Sequence, residues 1–356
     1  MLTPDYLRQM AERISHIAQA GEDAMLQAVI RKLLQTDIGQ ATSAEIIELQ
    51  GTLQRLAFLY GQAGAQEIAR VIAEAMQVAT EGVTFTAYEQ RLIEHINRTT
   101  QRTWYNLTET QAYSAVERYV RAANDAYIRV TAGGESHTKA KKDVVRELAD
   151  EGITIVQNKR REHTDVAIER NLRTEIARTA GDISLERAKE EGYNLVLVSA
   201  HLGARPTHTE WQGKVYSIAG KTDKYDDFYA ATGYGTMLGL CGINCRHTFS
   251  AWKEGMNNPW EDFDNEASAK RYELEQKQRE LERKIRDLKR KKMEAEDEAQ
   301  AFPKDPDAKE HLREAKRKLA EARKEYRDFC AENDLRELTE RLDVTRGTRQ
   351  ANARML

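Results

Sequence analysis

A charged heptad pattern toward the C-terminal end constrains the fold of this chain most strongly. Leu274, Leu281, Ile285 and Leu288 recur at heptad-like spacing. After the breaker FPKDPD (302–307), Leu312, Ala315, Leu319, Ala322, Tyr326 and Phe329 do so again. This spacing puts one narrow apolar stripe on each of two helices. Glu273–Lys277, Glu275–Arg279, Glu280–Lys284 and Glu282–Arg286 set acid before base at i,i+4, the favourable order on a helix. Residues 266–300 carry 11 basic and 10 acidic side chains, so the face is balanced. Two long helices folded into an antiparallel hairpin follow, each about 50 Å long at about 1.5 Å per residue. The seam holds mostly one leucine-sized residue per turn. Burial at about 25 cal/mol per Å² then offsets only part of an ordering cost of about 1–2 kcal/mol per residue. A partner should therefore cover the stripe. Residues 266–335 are expected to be an assembly element whose removal leaves 1–262 folded. The patch Lys289, Arg290, Lys291 and Lys292 reads first as a solvated helix face and second as a phosphate contact.

Composition agrees with long, exposed helices. Of 356 residues only 5 are proline, while 32% are charged, and proline is what would break them. The net charge of −3 gives no general reason to bind nucleic acid. Three cysteines, one of them remote from the other two, do not make a disulfide framework, which points to a reducing compartment. No apolar run is long enough for a membrane span. The opening residues read as a helix start, with Thr3 as cap, Pro4 in the first turn and Asp5 beside it, and not as a signal peptide.

The pattern divides the chain at residues 132, 262 and 335. Residues 1–132 are a helical region. Separate helices are expected before the turn at 36–43, through Ile46–Leu56, over QEIARVIAEAMQVAT, over about 88–103 and over about 109–131. The last carries Tyr113, Tyr119 and Tyr127 at helical spacing, a packing stripe before it is a base-stacking one. Residues 133–262 are a small α+β domain. A helix runs from Ser136 to Gly152 and another from Asp165 to Gly192, with strands at ITIV (153–156), YNLVLVSA (193–200), KVYSI (214–218) and RHTFSAW (246–252). A long glycine-rich loop separates the last two. Residues 263–335 are the hairpin and 336–356 a tail. The fold class is mainly α, of α+β type.

The chemistry-bearing residues crowd into 199–249. His201, His208, Cys241, Cys245 and His247 are metal-ligand types, and zinc is the metal such a set would take. Cys-x3-Cys-x-His is not a standard ligand spacing. Three readings are open. The first is a structural network of buried thiols and hydrogen-bonded imidazoles. The second is zinc on Cys241, Cys245 and His247 with one of His201 or His208. The third is hydrolysis, with His208 as base near Glu210, Arg205 stabilising an anion, and Asp223, Asp226 and Asp227 as metal carboxylates.

The stretches VSAHLGARPTHTEWQGKVYSI and ATGYGTMLGLCGINCRHTFSAWKEG closely resemble the phage minor capsid proteins, relatives of the Mu F-type head morphogenesis proteins. The matching residues are His201, Gly203 to Pro206, His208, Trp211 to Lys214, Gly233 to Thr236, Gly239 to Gly242 and Asn244 to His247. Mu F-type members more often end the motif in Cys-Arg-Cys, and here it is Cys-Arg-His. The resemblance covers about residues 1–262 and makes Arg205, Pro206, Trp211, Gly213, Asn244 and Arg246 parts of a structural motif. It implies a non-enzymatic virion protein inside the head near the portal vertex. Its partners would be the portal and other capsid proteins, with packaged DNA as a further one and no membrane. The chain would pass through the host cytoplasm during assembly and assist head morphogenesis and DNA delivery. A metal-dependent hydrolase or nuclease acting during infection is the alternative.

Overall fold

The computed structural model describes residues 2–36, 43–157 and 160–342. In chain order these form α1 (Pro4–Gln35), α2 (Ser43–Ala79), α3 (Ala87–Thr131), α4 (His137–Glu151), β1 (Ile155–Gln157), β2 (Arg160–Glu162), α5 (Thr164–Glu190) and β3 (Leu195–Val198). A 3-10 turn (Pro206–His208), β4 (Val215–Ser217), α6 (Phe228–Thr232), β5 (Phe249–Trp252), α7 (Asn265–Ala301), α8 (Pro306–Glu332) and α9 (Thr339–Leu342) follow. The architecture is mainly helical, with short strands in the central region and a long helical hairpin after it. The tail after Leu342 lies outside the described residues.

Two of the expected helix breaks do not exist. The second and third helices are one, α2, and the stretches before and after Trp104 are one, α3. Gly61 and Gly64 suggest a stop in sequence, but they serve packing. Trp104 is fully buried and its indole N–H donates to the carbonyls of Tyr60 and Gly61. A Cβ at Gly64 would stand 2.3 Å from that ring, so only glycine admits the indole.

The chain forms two compact units, each discontinuous in sequence. The first comprises Met1–Ile14, Ala65–Thr103 and Ala167–Gln276, and the second Ser15–Gly64, Trp104–Val166 and Lys277–Leu356. They cut across the pattern boundaries at 132, 262 and 335, because the long helices supply residues to both.

In the first unit a three-stranded antiparallel sheet has the order β4-β3-β5. The central strand pairs Val196 with Tyr216 on one side and with Ala251 on the other. Its buried Val196, Leu197 and Val198 account for the apolar run read from sequence. Arg13 binds Glu67 and Glu74, and Arg187 grips Glu89 through both carboxylate oxygens at 2.6 and 3.0 Å. The Thr248 hydroxyl donates to the Leu2 carbonyl at 3.0 Å and so fastens the first residues to the start of β5.

In the second unit a core of Met25, Leu26, Val29, Ile30, Leu53, Tyr119, Val145 and Ile153 joins α1, α2, α3 and α4. The β1–β2 hairpin contains a strand, β2, that lacks the β-branched run of β1 and was not expected. The α7–α8 hairpin is present as the heptads predict, with Leu281, Ile285, Ala315, Leu319, Ala322 and Tyr326 buried along its seam. It packs against the unit's core, which corrects the expectation that it stands outside it. Met293 and Phe302 pack against the unit's core. Glu298, fully buried, takes two hydrogen bonds from Arg146 of α4 at 2.9 and 2.7 Å. Lys142 of α4 reaches Asp305 and Asp307, and Asp297 is met by Gln27 and Arg31 of α1. The apolar stripe looked too thin to hold because charged residues do part of the docking.

Candidate functional site

The residues singled out at 199–249 converge in the first unit. β3 ends at Val198 and hands the chain to His201. The 3-10 turn opened by Pro206 presents His208, and β5 is entered through Cys245, Arg246 and His247. The backbone N–H of Ser199 donates to the Thr248 carbonyl, and the Thr248 N–H to Ser199 Oγ, at 2.8 and 2.9 Å. That clamp holds the two arms side by side. The His201 ring lies 4.3 Å from the His247 ring, and His208 lies 5.4 Å from it, centroid to centroid. Trp211 covers both His208 and His247, at 4.5 and 4.8 Å.

The glycine-rich loop is an ordered wall of this nest. Asp227 caps α6, a helix the sequence pattern missed, by accepting the Ala230 N–H at 2.7 Å. The chain then folds on itself: the Leu240 N–H donates to the Thr232 carbonyl and the Ile243 N–H to the Met237 carbonyl. A Cβ at Gly239 would sit 2.1 Å from the Gly233 oxygen, so this return needs glycine. Cys241 and Asn244 take left-handed backbone at φ 58° and 56° to complete the turn. Tyr234 ties the loop to α5 through a hydrogen bond to Asp182 at 2.7 Å.

The charged motif residues act on backbone. Arg205 donates to the Ile243 carbonyl. Arg246, itself buried, donates to the Gly203 carbonyl at 2.9 Å and pairs with Glu275 at 3.2 Å. The Gly213 carbonyl accepts from Asn258 at 3.0 Å. Glu275 lies in the heptad stretch, where nothing in sequence marks it as the partner of Arg246.

Hydrogen bonding assigns the imidazole protons. Gln212 Nε2 donates to Asn265, so its Oε1 faces inward and accepts the His201 backbone N–H at 3.2 Å. His247 Nε2 stands 3.0 Å from that same oxygen and must donate to it. His208 Nε2 stands 3.0 Å from the Leu238 carbonyl and must donate too. Gln212 belongs to the matching motif but had no role in the sequence reading. Its spacing gives no sign that it orients a histidine.

Burial holds these imidazoles neutral. His201 is pushed down to about 4, first by desolvation and then by the Arg246 charge. His208 is pushed down to about 4 by desolvation and Arg205. His247 falls well below the usual histidine range, through burial and then its two histidine neighbours. The Cys241 and Cys245 thiols are raised, chiefly by burial. Among the described residues, the group here whose ligand atoms lie within 4.8 Å of one another is His208, Cys245 and His247. Cys241 is not in it, and its Sγ lies 3.7 Å from the His247 carbonyl. Of the sequence-derived ligand set, Cys245, His247 and His208 come together and Cys241 does not.

Two of the three aspartates of the hydrolytic reading are engaged elsewhere. Asp227 is spent on the α6 cap, Asp226 pairs with Lys221 at 3.1 Å, and neither joins the histidines. His208, the base of that reading, is buried, as are Cys245 and His247. The basic patch on α7 is largely paired: Arg290 with Asp287, Lys291 with Asp150 at 2.7 Å and Lys292 with Glu296 at 2.8 Å. Of the tyrosine stripe, Tyr119 is buried against Thr36 while Tyr113 and Tyr127 are exposed.

The family described as phage minor capsid protein 2 matches residues 2–331, which extends the likeness through the hairpin. A "Structural protein" of Lactococcus phage LL-H is 30% identical over 111 residues. That alignment covers 30% of this chain and 30% of the relative, so less than a third of either protein is compared. No solved structure matches.

Proposed function

This chain belongs to the phage minor capsid protein 2 family, which makes it a structural component of a phage particle, and from that premise we propose that it occupies the portal vertex inside the head. There it assists head assembly and the delivery of DNA, after reaching the particle from the host cytoplasm. The buried Cys/His nest then holds the fold and turns nothing over.

The observation that carries the reading is an exposed aromatic face in the second unit. Phe58, Tyr105 and Tyr113 border a cavity of about 300 Å³ floored by Ala57, Ala112 and Val116. Phe58 and Tyr113 are 60% and 62% exposed. Large aromatics left in water around an apolar hollow are the anchors and pockets that protein interfaces use. The portal protein is the partner proposed for this face. Packaged DNA would meet the hairpin at a second hollow, lined by Lys292, Lys316, Arg323 and Arg327 with Leu319 and Ala320. Its cations suit a phosphate backbone. Among the described residues no helix is long and apolar enough to cross a membrane, and no membrane partner is proposed.

The test is co-expression with the portal protein of the same phage. The two should co-elute on size exclusion. A Phe58→Glu, Tyr113→Glu variant with unchanged circular dichroism should elute alone. Co-elution with the major capsid protein and not with the portal protein would refute the vertex assignment.

A further inference from the structure

The nest at His208, Cys245 and His247 has a property that a hydrogen-bonded network does not explain. His208 and His247 each spend their one proton outward, on the Leu238 carbonyl and on Gln212 Oε1. Their Nδ1 atoms therefore both carry lone pairs, and these face each other at 3.4 Å. Exchanging a tautomer only moves the problem. A proton on His208 Nδ1 would turn the Nε2 lone pair against the Leu238 carbonyl, which cannot donate. Gln212 cannot be flipped to help, because its Oε1 already accepts the His201 backbone N–H and its Nε2 is held by Asn265. Cys245 Sγ, 3.6 Å from His247 Nδ1, supplies one thiol proton to a space shared by two nitrogen acceptors. His201 adds a further acceptor: Nδ1 faces the Leu202 carbonyl at 2.9 Å, and Nε2 is buried with no partner.

Buried acceptors brought together, with carbonyl oxygens taking the outward N–H of each imidazole and so fixing its tautomer, are what a bound cation requires. We propose that His208 Nδ1, His247 Nδ1 and Cys245 Sγ are three ligands of a zinc ion that staples the 3-10 turn and the glycine-rich loop to the start of β5. The spacing has the size of the ion's coordination shell. Around tetrahedral zinc, with Zn–N of about 2.05 Å and Zn–S of about 2.3 Å, two nitrogens stand about 3.3 Å apart and nitrogen and sulfur about 3.6 Å. The nest has 3.4 and 3.6 Å. One sulfur and two imidazoles form a zinc donor set, while calcium and magnesium prefer oxygen. Binding converts the Cys245 thiol to a thiolate and releases its proton to solvent. The metal brings two positive charges and the thiolate one negative. Arg246 is already met by Glu275, and Arg205 points at the Ile243 carbonyl. His201 packs on His247 at 4.3 Å between ring centroids and its Nε2 is buried without a partner, but it is not one of the three residues whose ligand atoms lie within 4.8 Å of one another. Cys241 takes no part.

The experiment is elemental analysis of the full-length chain, purified without chelator from medium containing zinc. Stoichiometric zinc is expected, retained in Cys330→Ser and lost in Cys245→Ser. Apoprotein reloaded with cobalt(II) should show a thiolate-to-cobalt charge-transfer band and the intense visible bands of a four-coordinate site. This readout on the native sequence stands even where Cys245→Ser does not fold. Zinc and cobalt should each raise the melting temperature of the apoprotein. Absence of zinc together with absence of the cobalt–thiolate band would overturn the proposal. Zinc retained at full occupancy in folded Cys245→Ser would overturn it as well.

Discussion

Replacing Arg146 with methionine tests how the hairpin is held. Glu298 is fully buried on α7, and its two carboxylate oxygens take the Nε and Nη2 protons of Arg146 at 2.9 and 2.7 Å. Removing the guanidinium leaves a desolvated carboxylate without its cation, which costs about 3–5 kcal/mol when a pair is fully buried. Arg146 is itself 27% exposed, so water compensates in part and the lower end, about 3 kcal/mol, applies. Glu298→Gln behaves differently. The amide oxygen still accepts, and Arg146 keeps Asp307 at 3.0 Å, so the loss is about 1 kcal/mol. At about 2–4 °C per kcal/mol for a unit of this size, Arg146→Met should lower the melting temperature by about 6–12 °C. Glu298→Gln should lower it by about 2–4 °C, and the double variant Arg146→Met, Glu298→Met should recover most of the loss. Scanning calorimetry with urea titration reads all three. Equal, small shifts for both single variants would show that the hairpin does not rest on this pair.

Two further outcomes follow from the second unit. Gly64→Ala places a methyl group 2.3 Å from the buried Trp104 ring. It should cost about 1–3 kcal/mol as overpacking, visible as a shifted urea midpoint with a Trp fluorescence change. Asp23 is raised to about 7, first by burial and then by Glu22. A carboxyl raised above its unfolded value of 3.8 holds more protons folded than unfolded, so stability is full at low pH and falls as pH rises through about 7. Asp23→Asn should flatten that fall and melt higher than the parent at pH 8. Glu294, also raised to about 7, chiefly by burial, contributes to the residual slope. An unchanged pH profile would contradict the assignment.

The helices were legible because their apolar residues recur with the period of the helix, and so were the seams of α7 and α8. The strand β3 was legible as a short apolar run. Helix continuity through Gly61 and Gly64 was not, because a glycine that admits Trp104 from forty residues away looks like a glycine that ends a helix. The docking of α7 on α4 was hidden for a related reason. Glu298, Asp305 and Arg146 resemble any solvated charges until the fold pairs them. At the nest, the crowding of histidine and cysteine was visible. The exclusion of Cys241 was not, since it depends on a turn in which Cys241 takes left-handed backbone and its sulfur faces the His247 carbonyl. Gln212 orients His247 only after the return of β5, and no local spacing announces that.

The central claim is that the chain is built into the phage particle. Quantitative mass spectrometry of gradient-banded particles, from the phage that encodes it, tests this directly. The chain should appear in intact heads at a low, fixed ratio to the major capsid protein, protected from external protease. Its absence from banded particles that are otherwise complete, with the protein recovered only from the lysate, would contradict the account.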